Sequence, residues 1–317
     1  MVKRYVIGDI HGQYYPLKHL LKLVDFDYEA DKLIVLGDIC DGGKDTKLVI
    51  DELLKIKHLV LCLGNHDVWL KDFIDKGQME EIWIQQGGAA TLESYGAKVI
   101  KLGESWDDKS EIDLSGLEIP IEHLKFLQYG TNYHFEDNML FVHGGFDPEV
   151  PITKQSQQTL MWDRTLIEFA KDKTIKRNLE TVCKKVDWKK VFVGHTTTEI
   201  FGSVIPLKFN NLIMMDTGAG MTGTLSIMNI DTGKSESTLK MKQFYNKLEK
   251  QKEAGKNFSE KGKAYQFDRL TRKKLNKDIN RLVLVDETGR QYDEKDIEIE
   301  EFTQDSGKTL KVLIKKR

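Results

Sequence analysis

Five times between Tyr5 and Thr196 a short apolar run ends in a glycine-flanked turn that carries carboxylate, amide or imidazole side chains. Tyr5-Val6-Ile7 precedes Gly8-Asp9-Ile10-His11-Gly12, and Lys32 to Leu36 precedes Gly37-Asp38-Ile39-Cys40-Asp41-Gly42. Leu59 to Leu63 precedes Gly64-Asn65-His66-Asp67, Met139 to Val142 precedes His143-Gly144-Gly145, and Val191 to Val193 precedes Gly194-His195-Thr196. Continuous apolar runs this short suit strands buried on both faces. Open α/β sheets bind ligands at the carboxyl ends of such strands. The pattern therefore demands an α/β fold with its chemistry in the loops after the strands. A sixth run, Leu212 to Met215, precedes Asp216-Thr217-Gly218 in the same way. There the turn reads as a tight bend, or as a carboxylate that orients a ligand histidine.

Helical spacing fills the gaps between runs. Pro16 to Val24 and Thr46 to Ile56 each present one apolar face, the first with proline near its start. Residues 68–130 form an insertion, mainly helical in pattern, with Gly87-Gly88 as a break and Trp69, Trp83 and Trp106 along it. It is expected to cap or wall the site. Thr224 to Ile230 alternates and is followed by Asp231-Thr232-Gly233, the signature of a hairpin that closes a main domain over 1–239.

The chain has 317 residues, 40% hydrophobic and 31% charged, enough for one large domain or a large and a small one. No apolar run approaches the ~18 residues that span a bilayer. Met1 to Ile7 reads as a strand that Gly8 ends, not as a signal peptide. Three irregularly spaced cysteines, Cys40, Cys62 and Cys183, argue against a disulfide framework and for a reducing, cytoplasmic setting. Cys40 is read as a small packed residue. The net charge of −2 divides unevenly: 14 Lys/Arg face 5 Asp/Glu in residues 240–281, which read as a basic helical linker. Residues 282–317, with three short alternating runs, are expected to form a small β module of unassigned role. The basic stretch suits a solvated helix, or contact with an anionic partner.

Asp9 and His11, one residue apart after a strand, are placed to reach one cation. Asp38 is placed to bridge two, and Asn65, His143 and His195 to complete the second site. Carboxylate and imidazole donors suit manganese, iron, zinc or nickel rather than a thiolate-seeking metal. Two cations roughly 4 Å apart clamp an in-line displacement and acidify water. His66, next to Asn65, lies where a leaving oxygen could be protonated, with Asp41 as the natural partner for its other nitrogen.

The series resembles the calcineurin-like metallophosphoesterase superfamily, and within it the serine/threonine phosphoprotein phosphatases of bacterial and phage lambda type. Trp83-x-x-x-Gly87-Gly88-x-x-Thr91-Leu92-x-Ser94-Tyr95 is similar to their cap segment, and Met161-Trp162-Asp163-Arg164 to a motif of their second half. The resemblance covers about residues 3–230. It implies a four-layer fold, a central β-sandwich flanked by helices, and two divalent cations. It places Asp9, His11 and Asp38 on one cation and Asp38, Asn65, His143 and His195 on the other. It makes His66 with Asp41 the general acid pair and Arg164 a phosphate clamp. The implied reaction is phosphomonoester hydrolysis by direct attack of metal-bound hydroxide, with a Ser/Thr phosphoprotein as leading substrate.

One position departs from the family pattern. The loop normally reads Gly-Asp-x-x-Asp-Arg-Gly, but Gly42 stands at the arginine position, with Lys44 nearby as a partial substitute for substrate binding. Altered substrate choice is expected, which keeps open a nucleotide, dinucleoside polyphosphate or polynucleotide-end phosphatase. A catalytically silent scaffold on the same fold would not need all six ligand positions.

Overall fold

The computed structural model describes residues 2–101, 110–171 and 188–253, and four strands further on. The chain divides into two compact units, 1–248 and 249–317. In the first, strands β1 (Arg4–Ile7), β2 (Lys32–Val35) and β3 (His58–Leu61) run parallel. The hairpin β4 (Lys98–Lys101) and β5 (Ser110–Asp113) stands apart. Strands β6 (Tyr133–Glu136), β7 (Met139–Val142), β8 (Lys190–Val193), β9 (Leu207–Phe209) and β10 (Leu212–Met214) build the second sheet, and β11 (Ser226–Asn229) and β12 (Ser235–Ser237) return to the first. The orders are β12-β11-β1-β2-β3 and β6-β7-β8-β10-β9. Each sheet thus joins three parallel strands to two antiparallel ones.

Strand alternation explains why the runs are apolar throughout. Val6, Ile34, Phe141, Phe192, Ile213 and Met228 point between the sheets and form one buried layer. Their neighbours Ile7, Leu33 and Val35 pack outward under helices α1 (Tyr14–Leu23) and α2 (Thr46–Leu53). Leu140, Val142, Val191, Val193 and Leu212 do the same on the other side. The result is the four-layer α/β arrangement expected from the sequence. Phe141 and Phe192 stack at the centre, rings 4.9 Å apart and nearly coplanar. Strand β3 is the exception to burial on both faces: it is an edge strand, and His58 is exposed.

The insertion contributes α3 (Asn65–Lys76), α4 (Glu81–Trp83) running into a π turn at Ile84–Gly88, α5 (Ala89–Ser94), the β4–β5 hairpin and α6 (Ile121–Gln128). Helices α7 (Gln157–Trp162) and α8 (Thr165–Lys171) lie on the second sheet. At the amino ends of β1 and β2, Arg4 pairs with Glu136, Asp137 and Asp231, and Lys32 pairs with Glu136. These ion pairs join the two sheets at the pole away from the strands' carboxyl ends.

Helix α9 (Met241–Glu253) starts within the first unit. Met241, Phe244 and Leu248 are buried, and Tyr245 Oη donates to Gln13 Oε1 at 2.7 Å. The opening turns of the basic segment are therefore part of the body's packing. Cys183, Trp106 and residues 254–281 lie outside the described residues. In the second unit β13 (Leu284–Val285) pairs with β14 (Gln291–Tyr292), and β15 (Ile297–Thr303) with β16 (Thr309–Lys315). No described helix is long and apolar enough to cross a membrane.

Two stability predictions follow from this packing. Phe192→Ala opens a cavity between the sheets and is expected to cost about 3–5 kcal/mol in urea unfolding. Glu52 is buried between Tyr28, Lys18 and Lys55; burial disfavours its charge, but these partners outweigh it and lower its pKa below 4.5. A depressed carboxylate stabilises above its unfolded pKa and loses that contribution as pH falls through the folded value. Glu52→Gln is expected to cost about 1–3 kcal/mol at pH 7. Its penalty should begin to shrink as pH falls through about 4.5 and be gone only once the pH is below the depressed folded value, where wild type and variant unfold alike.

Candidate metal centre

All six parallel strands deliver a polar residue just beyond their carboxyl ends: Asp9, Asp38, Asn65, His143, His195 and Asp216. Donor atoms of Asp9, His11 and Asp38 lie within 4.8 Å of one another, and so do those of Asp38, His143 and His195. Asp38 belongs to both sets. Its Oδ1 accepts the His66 amide at 3.0 Å, while Oδ2 lies 3.2 Å from His143 Nε2 and 3.9 Å from His11 Nε2. Asp9 accepts the His195 amide at 2.9 Å. Asn65 Oδ1 lies 3.3 Å from His143 Nε2.

The imidazoles are oriented for coordination. His143 Nδ1 donates to Leu36 O at 2.7 Å and His11 Nδ1 to Cys40 O at 3.1 Å, which leaves each Nε2 facing the carboxylates. His195 Nε2 is buried and has no hydrogen-bond partner. Burial and the neighbouring His143, with Arg164 adding to them, pull His195 down to about 3, so its ring is neutral. Burial, then Asp216 and Asp38, push Asp9 well up. Crowded carboxylates and an orphaned neutral imidazole are what divalent cations would satisfy, so the residues fit the expected pair.

Strain marks the same residues. His11, Asp38, Asp41 and His195 have φ of 48°, 46°, 71° and 60°. Left-handed backbone at non-glycine residues costs on the order of 1–3 kcal/mol each and clusters at functional sites.

His66 Nδ1 donates to Asp41 Oδ2 at 2.7 Å. Burial disfavours the imidazolium, but Asp38 and Asp41 outweigh it and raise His66 to about 9. Asp41 is itself clamped: Trp83 Nε1 donates to Oδ2 at 2.9 Å, Thr91 Oγ1 donates to Oδ1 at 2.7 Å, and the Asp41 amide donates to Thr91 Oγ1. The insertion thus buttresses the acid pair from behind. Gly87 (φ 108°) lies against the loop so closely that a Cβ there would fall on the Gly42 amide. Trp83 and Thr91 were visible in the sequence only as cap-motif positions; their bonds to Asp41 depend on the π turn. Asp67 was not singled out, yet it is fully buried and accepts the Ile39 and Gly64 amides, each at 2.9 Å. The Gly64-x-x-Asp67 spacing, a carboxylate at the third position of a helix, could have revealed it.

Asp216, Lys44 and Arg164 stand outside the two donor sets. Asp216 Oδ1 accepts the Gly218 amide at 2.9 Å and bonds to no histidine among the described residues, so it stabilises its own turn. Lys44 is exposed, with no partner among the described residues to hold it toward the carboxylates. Arg164 is exposed in the turn between α7 and α8, near enough to His195 to depress it. Cys40 is fully buried beside Asp67 Oδ1, and burial first, then Asp41, pushes its thiol well up, in keeping with a packed residue.

Thr91→Val keeps the side-chain volume but leaves an Asp41 oxygen and the Asp41 amide unpaired. It is expected to cost about 1–3 kcal/mol per unpaired group in urea unfolding. Unchanged stability would show that water replaces the hydroxyl.

A family model described as calcineurin-like phosphoesterase matches residues 2–205. The symmetrical bis(5'-nucleosyl)-tetraphosphatase of Cellvibrio japonicus is 45% identical over 67 residues, 21% of this chain and 25% of that protein. The same-named protein of Legionella pneumophila is 35% identical over 94 residues, 26% of this chain and 34% of that one. The matches thus span about a quarter to a third of those relatives' length. A cold-active protein-tyrosine phosphatase structure from a Shewanella species is 19% identical, covering 75% of this chain and 80% of that one, with a TM-score of 0.46. With the family model spanning well over half of the sequence, the chain belongs to the calcineurin-like phosphoesterases.

Proposed function

We propose that this phosphoesterase hydrolyses a nucleotide-type phosphate, with dinucleoside polyphosphates as the leading class, by means of two divalent cations. The observation that carries the reaction class is the pair of donor sets sharing Asp38. Asp9, His11, Asp38, Asn65, His143 and His195 would hold the cations, which when bound acidify water and neutralise phosphoryl oxygens. His66, protonated at neutral pH and fixed through Nδ1 by Asp41, presents its other nitrogen to the leaving oxygen. Arg164 supplies a charge for phosphate oxygens beside His195.

Two observations support a nucleotide over a Ser/Thr phosphoprotein. The relatives with the matched stretch carry the tetraphosphatase name. Gly42 (φ 81°) removes the forked guanidinium that the resembling protein phosphatases carry in this loop. A Cβ there would make only ordinary contacts, with Gly220 O at 3.5 Å and His11 Cβ at 3.7 Å. Residues 254–317 are proposed to contact an anionic partner through the basic stretch. A truncation that tests this must begin after Glu253, because Met241, Phe244 and Leu248 are buried in the body.

The test is a Mn²⁺-supplemented comparison of a dinucleoside tetraphosphate, a phosphopeptide, an aryl phosphodiester and a 3′-phosphorylated oligonucleotide. The tetraphosphate should show the highest kcat/KM, and His66→Ala should lower its kcat by about 10²–10⁴. Asp38→Ala should abolish stoichiometric metal in the purified protein by mass spectrometry. Preference for the phosphopeptide would return the chain to the protein phosphatases, and wild-type protein that takes up no metal would sink the enzyme reading.

A further inference from the structure

The metal centre is rimmed by an unbroken arc of rings. His11 meets His66 at 5.0 Å, His66 meets Trp69 at 4.9 Å, and Trp69 meets Trp162 at 5.6 Å. Trp162 meets His195 at 5.4 Å, and His195 meets His143 at 5.0 Å. Every step is edge-on. Four members of the arc belong to the metal centre and acid pair already described; the two indoles do not. Trp69 comes from α3, at the edge of the first sheet, and Trp162 ends α7, on the second. They meet across the mouth and close the arc on the side where His66 stands.

Neither indole is wholly taken up by the core. Trp69 is half-buried against the first sheet's cluster, and Trp162 is 39% exposed. Neither indole N–H has an acceptor among the described residues. A large aromatic surface left open beside a catalytic centre costs hydration free energy unless a ligand covers it. Arg164, two residues beyond Trp162, adds a cation at the same rim. Flat apolar faces next to a positive charge suit a flat, electron-rich ring attached to phosphates, and stacking on indoles accepts any base. A serine or threonine side chain offers nothing for such a wall to grip.

We propose that Trp69 and Trp162 form the base-stacking wall of the substrate site, seating the nucleobase of the leaving nucleotide beside His66. The assignment rests on the nucleotide reading above and names what recognises the base. Because Trp69 touches His66 and Trp162 touches His195, each indole also fixes the height of a working imidazole. The test must therefore separate stacking from positioning.

The experiment uses the full, metal-loaded chain and two probes, adenosine diphosphate and inorganic phosphate, with Kd from equilibrium dialysis. Turnover of a dinucleoside tetraphosphate and of glycerol phosphate, an ester with no ring, is measured alongside. Trp69→Leu and Trp162→Leu should each weaken adenosine diphosphate binding about tenfold and leave phosphate binding within twofold. Trp69→Phe should restore most of the loss. KM for the tetraphosphate should rise by a larger factor than KM for glycerol phosphate, whatever loss of kcat the two esters share. Equal losses on both probes and both esters would overturn the wall and leave the indoles as supports for His66 and His195. Tight adenosine diphosphate binding that both leucine variants keep would overturn the wall while sparing the nucleotide reading. Wild-type protein that binds phosphate but not the nucleotide would overturn both. Selective binding and turnover of a phosphotyrosine peptide, lost in Trp69→Leu, would replace the nucleobase by an aryl ester.

Discussion

A single carboxylate, that of Asp38, sets the terms for the rest of the molecule. It is almost fully buried, and among the described residues no lysine or arginine pairs with it. Its compensation comes from the His66 amide, His143 and His11, one partner per direction. Burial alone would push its pKa up, yet the surrounding imidazoles hold it below the usual carboxylate range. Such a group keeps its charge in a dry interior only where partners are already in place. Those partners come from both sheets. His11 follows β1, His66 opens α3 after β3, and His143 follows β7. The two sheets must therefore face each other in one register, and the Phe141 and Phe192 rings, side by side on the second sheet, help fill the layer between them.

The same requirement explains where strain is tolerated. To turn both donors of a strand end inward, the chain leaves the strand in a left-handed conformation at His11, Asp38, Asp41 and His195. Alternating strands offset this cost. Strands β1, β2, β7, β8 and β10 each have one apolar face in the sheet interface and the other beneath helices, so each is anchored twice. The opposite pole carries the Arg4 and Lys32 ion pairs, which fix the sheets' relative position without intruding on the carboxylates. Strand ends at the site are thus free to satisfy chemistry rather than packing.

This division governs what could be read from the sequence. The metal donors were legible because each follows its own apolar run directly, and strand ends need no long-range information to be placed. Asp41 with His66 was legible as chemistry, since an imidazole beside a ligand needs a carboxylate. Its restraint by Trp83 and Thr91 was not, because the π turn at Ile84–Gly88 breaks the 3.6-residue period on which helix reading depends. Lys44 lies near the missing arginine along the chain, but its side chain is exposed with no partner among the described residues, so spacing alone does not fix where it points. Asp216 resembled the ligand-bearing ends, yet its own turn takes its carboxylate. The indole contact was out of reach, since Trp69 and Trp162 lie on different sheets' helices.

Gly42 brings these strands of argument together. In the loop that carries Asp38 and Asp41, the chain has backbone where a forked cation is usual. Gly87 presses the insertion onto that backbone, so the loop's back is closed. Positive charge near the site then lies with Arg164, beside His195 and on the far sheet. A phosphate chain drawn toward Arg164 would run along the arc past Trp162 and Trp69 and would meet His66 at its leaving end. A substrate that is long, polyanionic and aromatic at its end uses every one of these features. A small phosphoserine side chain would leave the indoles exposed and the vacated arginine position unfilled. On the proposed reading, the glycine at position 42 and the two facing tryptophans would serve one specificity, arranged around the donor sets that share Asp38.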